Sequence, residues 1–393
     1  MDINTSENKT LHQVKFHGKG GEYFSIWLVN ALLTAITLGI YSAWATVRRR
    51  RYFYGNTEIN GDRFDYHAQP MQILKGRLLV IGGIIIFYVL LALSPIMGTL
   101  VLIAFMGLVP WIIIRSWRYN AIMSSYRGVR FNYHCKTGKA YWVLLFFPII
   151  LVLGLYLTLL AIGMLAGLTN SPMFTGLLAI AIFIPGFAAV NGMIAMMQSD
   201  LYINNMFFGK VAFKADLNKA PFIKFSLISL LIFIPFLIAG LSLISSFILT
   251  MFQAGMMGER TDEMVGMMLL SNMFNLIMMF IVMGFGMLVS SSYLVVAQRN
   301  YLFNQTVLNG DIKLRSTMQT LSYTGLLITN SLITVFSLGL AAPVAEVRHA
   351  RYIANSTAIE GDLSLLNVQA HQDSANTAVA EEAVNALDLN IGI

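Results

Sequence analysis

Long apolar runs alternate with short polar stretches along almost the whole chain. The runs fall at about 24–46, 78–94, 97–117, 141–167, 174–199, 222–252, 264–297 and 321–345. A helix needs about 20 apolar residues to cross the ~30 Å hydrocarbon layer, so these runs predict membrane-spanning helices. They are continuous, unlike the short alternating segments of an outer-membrane barrel. The pattern therefore predicts an all-α polytopic membrane protein with six to eight hydrophobic segments.

One stretch, Leu28 to Phe64, sets the plan. An apolar run ends in Arg48–Arg51 and Tyr52, and a polar turn and a short alternating segment follow. It returns 300 residues later without a gap. Asn30, Leu32, Thr34, Leu38, Gly39, Ala45, Val47, Arg48, Arg51, Tyr52, Thr57, Ile59, Gly61 and Asp62 all find the same residue there. Weaker copies surface on aligning Tyr52, Tyr119, Tyr202, Tyr301 and Tyr352, each just after an apolar run. Gly61, Gly128, Gly310 and Gly361 stand nine residues past their tyrosines, and Phe64 and Phe131 three past the glycine. The copy at Tyr202 departs, with Asp200 and Leu201 in place of arginines. An internal repeat has to be recognised before a fold is assigned. Here a helix leaves the bilayer, Arg and Tyr anchor it at the interface, glycine permits a turn, and a short extended segment follows. Five such segments on one side have the means to pair edge to edge. The expected layout is a polar lead-in over 1–22, an integral membrane domain of five related units over 23–364, and a polar, acidic, disordered tail over 365–393.

Composition agrees. Of 393 residues, 57% are apolar and 11% charged, with mean hydropathy +0.68, where soluble proteins carry about 25% charge. The net charge of +7 sits in the loops at 48–77, 115–139, 203–224 and 298–315. The positive-inside rule makes these loops cytoplasmic and argues against nucleic acid as a partner. The connections near Pro95, 169–172 and 259–263 are short and neutral or acidic, which puts them outside. Three spanning hairpins result. The first and last runs either span or re-enter. Thr37-Leu38-Gly39-Ile40 and Ser337-Leu338-Gly339-Leu340 interrupt them midway, and a broken helix would keep both ends cytoplasmic.

Candidate chemistry is sparse. No run has an Asp, Glu, Lys or Arg at its centre, which weighs against a carboxylate-driven ion cycle. Asn30, Thr34, Asn330 and Thr334 either bond helix to helix or line an intramembrane polar path. Pro148, Pro185 and Pro235 kink helices or mark a substrate site. The methionines between Met256 and Met287 read as pliable packing before Cu(I) ligands. His17, His67 and His134 share a position and would hold a metal only if their loops met. The glycine-rich 15–21 stretch lacks a phosphate-loop ending and a strand–helix setting. The single Cys135 excludes an internal disulfide. Arg48, Arg49, Arg50, Arg51, Arg115, Arg118, Arg348 and Arg351 form a basic surface, either a topology signal or a contact for lipid headgroups or phosphate. No catalytic, cofactor or metal residues are assigned, and no enzyme activity is expected. The expected partners are membrane lipids, anionic ones above all.

The span from Tyr23 to Tyr52, YF-x-I-W-L-V-N-x-L-L-T-x-I-T-L-G-I-Y-x-x-W-A-x-V-R-x-R-R-Y, resembles the YjgN family of bacterial inner-membrane proteins. The resemblance extends through Gly128-Val129-Arg130-Phe131 and the C-terminal copy. It implies a multi-pass protein of the bacterial inner (cytoplasmic) membrane and brings no catalytic or ligand residues with it. Two functions follow as expectations: a transporter or channel for a small solute or lipid, or a non-transporting protein that organises anionic lipid or protein partners.

Overall fold

The computed structural model describes residues 10–169, 171–257 and 262–363, so the tail expected from 365 lies outside the described residues. Strand β1 (Leu11–Phe16) leads into helix α1 (Gly20–Ile36) and α2 (Ser42–Gly55). Strands β2 (Thr57–Ile59) and β3 (Asp62–Tyr66) follow, then α3 (Pro70–Leu93) and α4 (Pro95–Ile122). Next come β4 (Ser124–Tyr126), β5 (Val129–Tyr133), α5 (Thr137–Tyr141), a π-helical turn (Trp142–Phe146), α6 (Phe147–Thr169) and α7 (Pro172–Ile203). Then come β6 (Met206–Phe208), β7 (Val211–Ala215), α8 (Lys219–Leu243), α9 (Ser245–Met257), α10 (Asp262–Ser271) and α11 (Met273–Gln305). The chain closes with β8 (Thr306–Leu308), β9 (Ile312–Ser316), α12 (Thr320–Phe336), α13 (Ala342–Asn355) and β10 (Thr357–Glu360).

Among the described residues six helices are long and apolar enough to cross a membrane: Pro70–Leu93, Pro95–Ile122, Thr137–Leu165, Met173–Ile203, Lys219–Leu243 and Met273–Gln305. They are three hairpins, as the loop charges predict. Their outer faces carry exposed Ile85, Ile103, Leu153 and Phe280, as lipid contact requires. Helices approach closely where side chains are small. A Cβ on Gly192 would lie 2.6 Å from the backbone of Ile223, and one on Gly286 would lie 2.4 Å from Phe236. Pro185 and Pro235 sit inside continuous helices α7 and α8.

The first and last apolar runs do not cross. β1 and β2 pair side by side (Val14 with Ile59, Phe16 with Thr57), so the α1–α2 hairpin starts and ends at the same place. Its tip is a left-handed turn, Leu38 at φ 50° and Gly39 at φ 92°, repeated at Leu338 (53°) and Gly339 (89°). The tip backbone satisfies itself. Gly39 N–H donates to the Thr34 carbonyl at 2.8 Å, and the Thr37 hydroxyl accepts the Tyr41 N–H at 2.9 Å. Gly339 and Ser337 do the same for Thr334 and Ala341. Leu38 and Leu338 are each 94% exposed, so the tips present only apolar side chains outward. Six residues of α2 precede Arg48, about 9 Å of helix, so the hairpin dips well short of the ~30 Å layer. α1 packs on α13, and the Tyr23 hydroxyl donates to Glu346 Oε2 at 2.9 Å.

The short extended segments form a closed barrel of ten strands in the order β1-β10-β9-β8-β7-β6-β5-β4-β3-β2. Four tight hairpins make it: β2–β3, β4–β5, β6–β7 and β8–β9. Asn60-Gly61 and Arg127-Gly128 have positive φ at both residues of a two-residue loop, the turn that suits a twisted hairpin, and Asn309-Gly310 has the same left-handed pair in a three-residue loop between Leu308 and Ile312. The fifth pair is assembled from the two ends of the chain. Leu11 pairs with Glu360 and Gln13 with Ala358, so β1 supplies the partner that β10 lacks in sequence. The 15–21 stretch thus does lie between a strand and a helix, contrary to the sequence expectation. Its backbone is nonetheless engaged: His17 N–H donates to the Asn56 carbonyl, Lys19 N–H to the Tyr52 hydroxyl, and Arg351 to the Gly18 carbonyl.

Candidate functional site: an apolar chamber and its basic surroundings

Alternation along each strand decides what faces inward. In β3, Arg63 and Asp65 are exposed while Phe64 between them turns in. Register repeats the choice around the barrel. Phe64 pairs with Tyr126, Phe131 with Phe208, Phe213 with Leu308, Leu314 with Ile359, and Val14 with Ile59. These ten side chains all line one cavity of about 480 Å³. Phe131 is central, with ring centroids 5.0 Å from Phe208 and 6.4 Å from Phe64 and Phe213. The helix ends form the floor with Phe53, Tyr54, Ala350, Ile353 and Ala354, and Leu363 lines it too, its carbonyl accepting from Arg127. A second cavity of about 340 Å³ shares Tyr54, Phe64, Phe131, Phe213 and Leu314 and extends toward Asn120 and Phe303. The Tyr126 hydroxyl donates to the Ile59 carbonyl at 2.8 Å, and burial raises its pKa.

One charged side chain lines the larger cavity: Arg299, at the barrel end of α11. It donates from Nη2 to Thr357 Oγ1 at 2.9 Å and lies 4.0 Å over the Phe303 ring. Its Nε is buried without a hydrogen-bond partner, and no carboxylate pairs with it among the described residues. An unpaired cation in an apolar chamber is costly unless something anionic joins it. The residue was visible in sequence only as one more arginine near Tyr301. It stands two before its tyrosine, where Arg51, Arg118 and Arg351 stand one before theirs, and one residue of helix turns a side chain by about 100°.

The sequence-predicted arginines do not make one surface. Arg48 donates to Asn30 Oδ1 (3.4 Å) and the Tyr41 hydroxyl (3.2 Å). Arg49 lines a cavity of about 480 Å³ with Asn30, Thr34 and Arg77. Arg50 donates to the Tyr66 hydroxyl (2.8 Å) and Asn120 Oδ1 (2.6 Å). Arg51 and Arg351 each donate to a backbone carbonyl ahead of a helix, Ala68 and Gly18. Arg348 donates to Thr329. Arg115 stacks on Trp111 with its guanidinium 5.5 Å from the ring, and Arg118 shares a separate cavity with it. Of the polar-path residues, Asn30 and Thr34 meet Arg49, while Asn330 is buried and donates to the Ala345 carbonyl at 3.2 Å. Thr334 serves the hairpin turn through its carbonyl.

Three of the five aligned tyrosines are staples. Tyr52 donates its hydroxyl to the Lys19 carbonyl and accepts the Lys19 N–H, and Tyr352 does the same at Gln319. Tyr301 accepts the Asn218 N–H at 3.1 Å. Each ties one helix end to the start of the neighbouring helix. The three histidines stay apart: His17 pairs with Glu58, His67 bonds Ser125, and His134 packs on Phe207.

The family model described as "Bacterial protein of unknown function (DUF898)" matches residues 11–386. The chain belongs to this family. Relatives named Inner membrane protein YjgN come from Salmonella typhimurium (31% identical over 376 residues, 93% of each chain) and Escherichia coli K12 (30% over 386 residues, 95% of each). A third, from Escherichia coli O157:H7, is 31% identical over 375 residues and 92% of each chain. No solved structure matches at a significant level. The protein is a multi-pass inner-membrane protein, by these relatives and by its six apolar helices.

Proposed function

We propose that the protein binds an amphiphile with an acyl chain and an anionic head in the barrel chamber, as a lipid-handling membrane protein rather than an enzyme. The observation that carries this is Arg299, a cation without a carboxylate partner among the described residues, in a chamber whose lining is otherwise uncharged and mostly apolar. A volume of about 480 Å³ falls in the usual range for small-ligand pockets, and the adjoining cavity gives a chain room to extend. The positive-inside rule assigns the barrel to the cytoplasmic face, which makes this a station for lipid at the inner leaflet. The equal registers of the strand pairs support the reading of five related units, each contributing two inward apolar residues. Of the two expected functions, transport or transfer of a lipid fits a roomy chamber better than a purely organising role does.

The test is native mass spectrometry of the full-length protein released from mild detergent. Wild type should retain an anionic acyl-chain ligand, and Ala350→Trp, which fills the floor of the chamber, should lose it. Equal retention by wild type and Ala350→Trp, or none by wild type, would remove the chamber from the account.

A further inference from the structure

A second site lies outside the chamber, on the barrel side of α4. It begins with an inequality among equivalent positions. The residue just before three of the five aligned tyrosines has one recurring task. Arg51, Asn300 and Arg351 each donate to a backbone carbonyl at the lead-in to a helix: Ala68, Met318 and Gly18. Arg118 stands at the same position before Tyr119 and makes no such bond. Its Nε is buried without a partner among the described residues. Instead Arg118 lines a cavity of about 600 Å³ with Arg115, Lys136, Lys139, His134 and Cys135. None of the residues lining this cavity lines the chamber.

Charge in this cavity is one-sided. Arg115, Arg118, Lys136 and Lys139 bring four cations. Asp200 lies 3.3 Å from Lys139 Nζ, and no carboxylate is among the described residues that line the cavity. Arg115 is held over Trp111, a residue type concentrated at the membrane–water boundary. A cluster of cations that includes Arg118, whose Nε meets no partner among the described residues, matches a phosphate-bearing group, which offers several acceptor oxygens to a guanidinium fork.

We infer that this cavity is a binding site for a phosphate group, carried by an anionic phospholipid headgroup or free in the cytoplasm. Arg118 presents its guanidinium to the phosphate, and Lys136 and Arg115 close around the remaining oxygens. The site is independent of the chamber and of what the chamber holds.

The chain's one cysteine, Cys135, lines the cavity and reports on it. Burial raises its pKa, so alkylation by an uncharged maleimide is followed at mildly alkaline pH. Full-length protein is placed in nanodiscs of phosphatidylcholine alone, of phosphatidylcholine with phosphatidylglycerol, and of phosphatidylcholine with added inorganic phosphate. At a ligand level about ten times Kd, alkylation should slow about tenfold. Protection by phosphatidylglycerol alone identifies a lipid headgroup, and protection by inorganic phosphate identifies a soluble group. Either supports the site, provided Arg118→Gln with Lys136→Gln removes the protection. Unchanged alkylation in all three wild-type samples overturns the inference without any appeal to variants. So does protection that survives in a well-folded double variant.

Discussion

Replacing Arg299 with methionine should make the protein more stable and less able to bind. The guanidinium lies in an apolar chamber with one hydrogen bond, 2.9 Å to Thr357 Oγ1, and one ring contact, 4.0 Å to Phe303. Taking an ion out of water costs several kcal/mol even after relaxation. One hydrogen bond returns about 1 kcal/mol and a cation–π contact about 0.5–2. The balance without a ligand is unfavourable, and a flexible apolar side chain of similar length relieves it. Arg299→Met should therefore gain on the order of 1–4 kcal/mol in ligand-stripped protein. An anionic ligand reverses the comparison. Losing one partner of a buried charge pair costs about 2–5 kcal/mol, or at least a 30-fold drop in affinity. Thermal unfolding in detergent gives the first quantity, and titration with a fluorescent fatty acid gives the second. A variant that unfolds earlier and binds the probe as well as wild type would show Arg299 to be a structural group, and the ligand argument would fall.

Other consequences can be measured independently. Gly192→Leu should separate α7 from α8, because even a Cβ there meets Ile223 backbone at 2.6 Å; a loss of about 1–3 kcal/mol is expected, and unchanged unfolding would show that the pair is not tightly held. Tyr352→Phe removes the hydroxyl that bridges both backbone groups of Gln319 and should cost about 1–3 kcal/mol, with Tyr156→Phe, on an exposed face of α6, as a control near zero. His349 is packed against Tyr323, and burial first and Arg299 second lower its pKa. The folded state thus favours its neutral form, so its contribution is present above the unfolded value of about 6.5 and is lost progressively as pH falls below that value through the lowered folded one. His349→Gln should flatten the stability profile below about pH 6.5, and an unchanged slope would put the acid sensitivity elsewhere.

Much of this architecture was legible along the chain. Apolar length marked eight runs, and loop charge grouped six of them as three crossing hairpins while leaving the first and last open. Leu38-Gly39 and Leu338-Gly339 marked the two breaks, and the structure adds why they hold: Thr37 and Ser337 cap the returning helices. The short alternating segments read as extended pieces able to pair, without showing which side chain turns inward. Closure was less accessible. β1 pairs with β10 across some 350 residues, and nothing local in Leu11–Phe16 names that partner. The chamber depends on closure, so it too was hidden, although its Phe64 and Phe131 had been aligned. The arginines show the limit most sharply. Arg51 and Arg118 are the same residue at the same offset, yet one meets a carbonyl and the other does not. That difference is one of tertiary surroundings, which residue type alone does not record.

The most direct test of the central claim is photolabelling with a diazirine-bearing fatty acid, with the adducts mapped by mass spectrometry. The chamber account predicts label on the inward strand residues, Phe64, Phe131, Phe213 and Leu314, and its loss on competition with unlabelled fatty acid. Label confined to lipid-facing residues of the spanning helices, such as Ile85 and Ile103, and insensitive to competition, would contradict it.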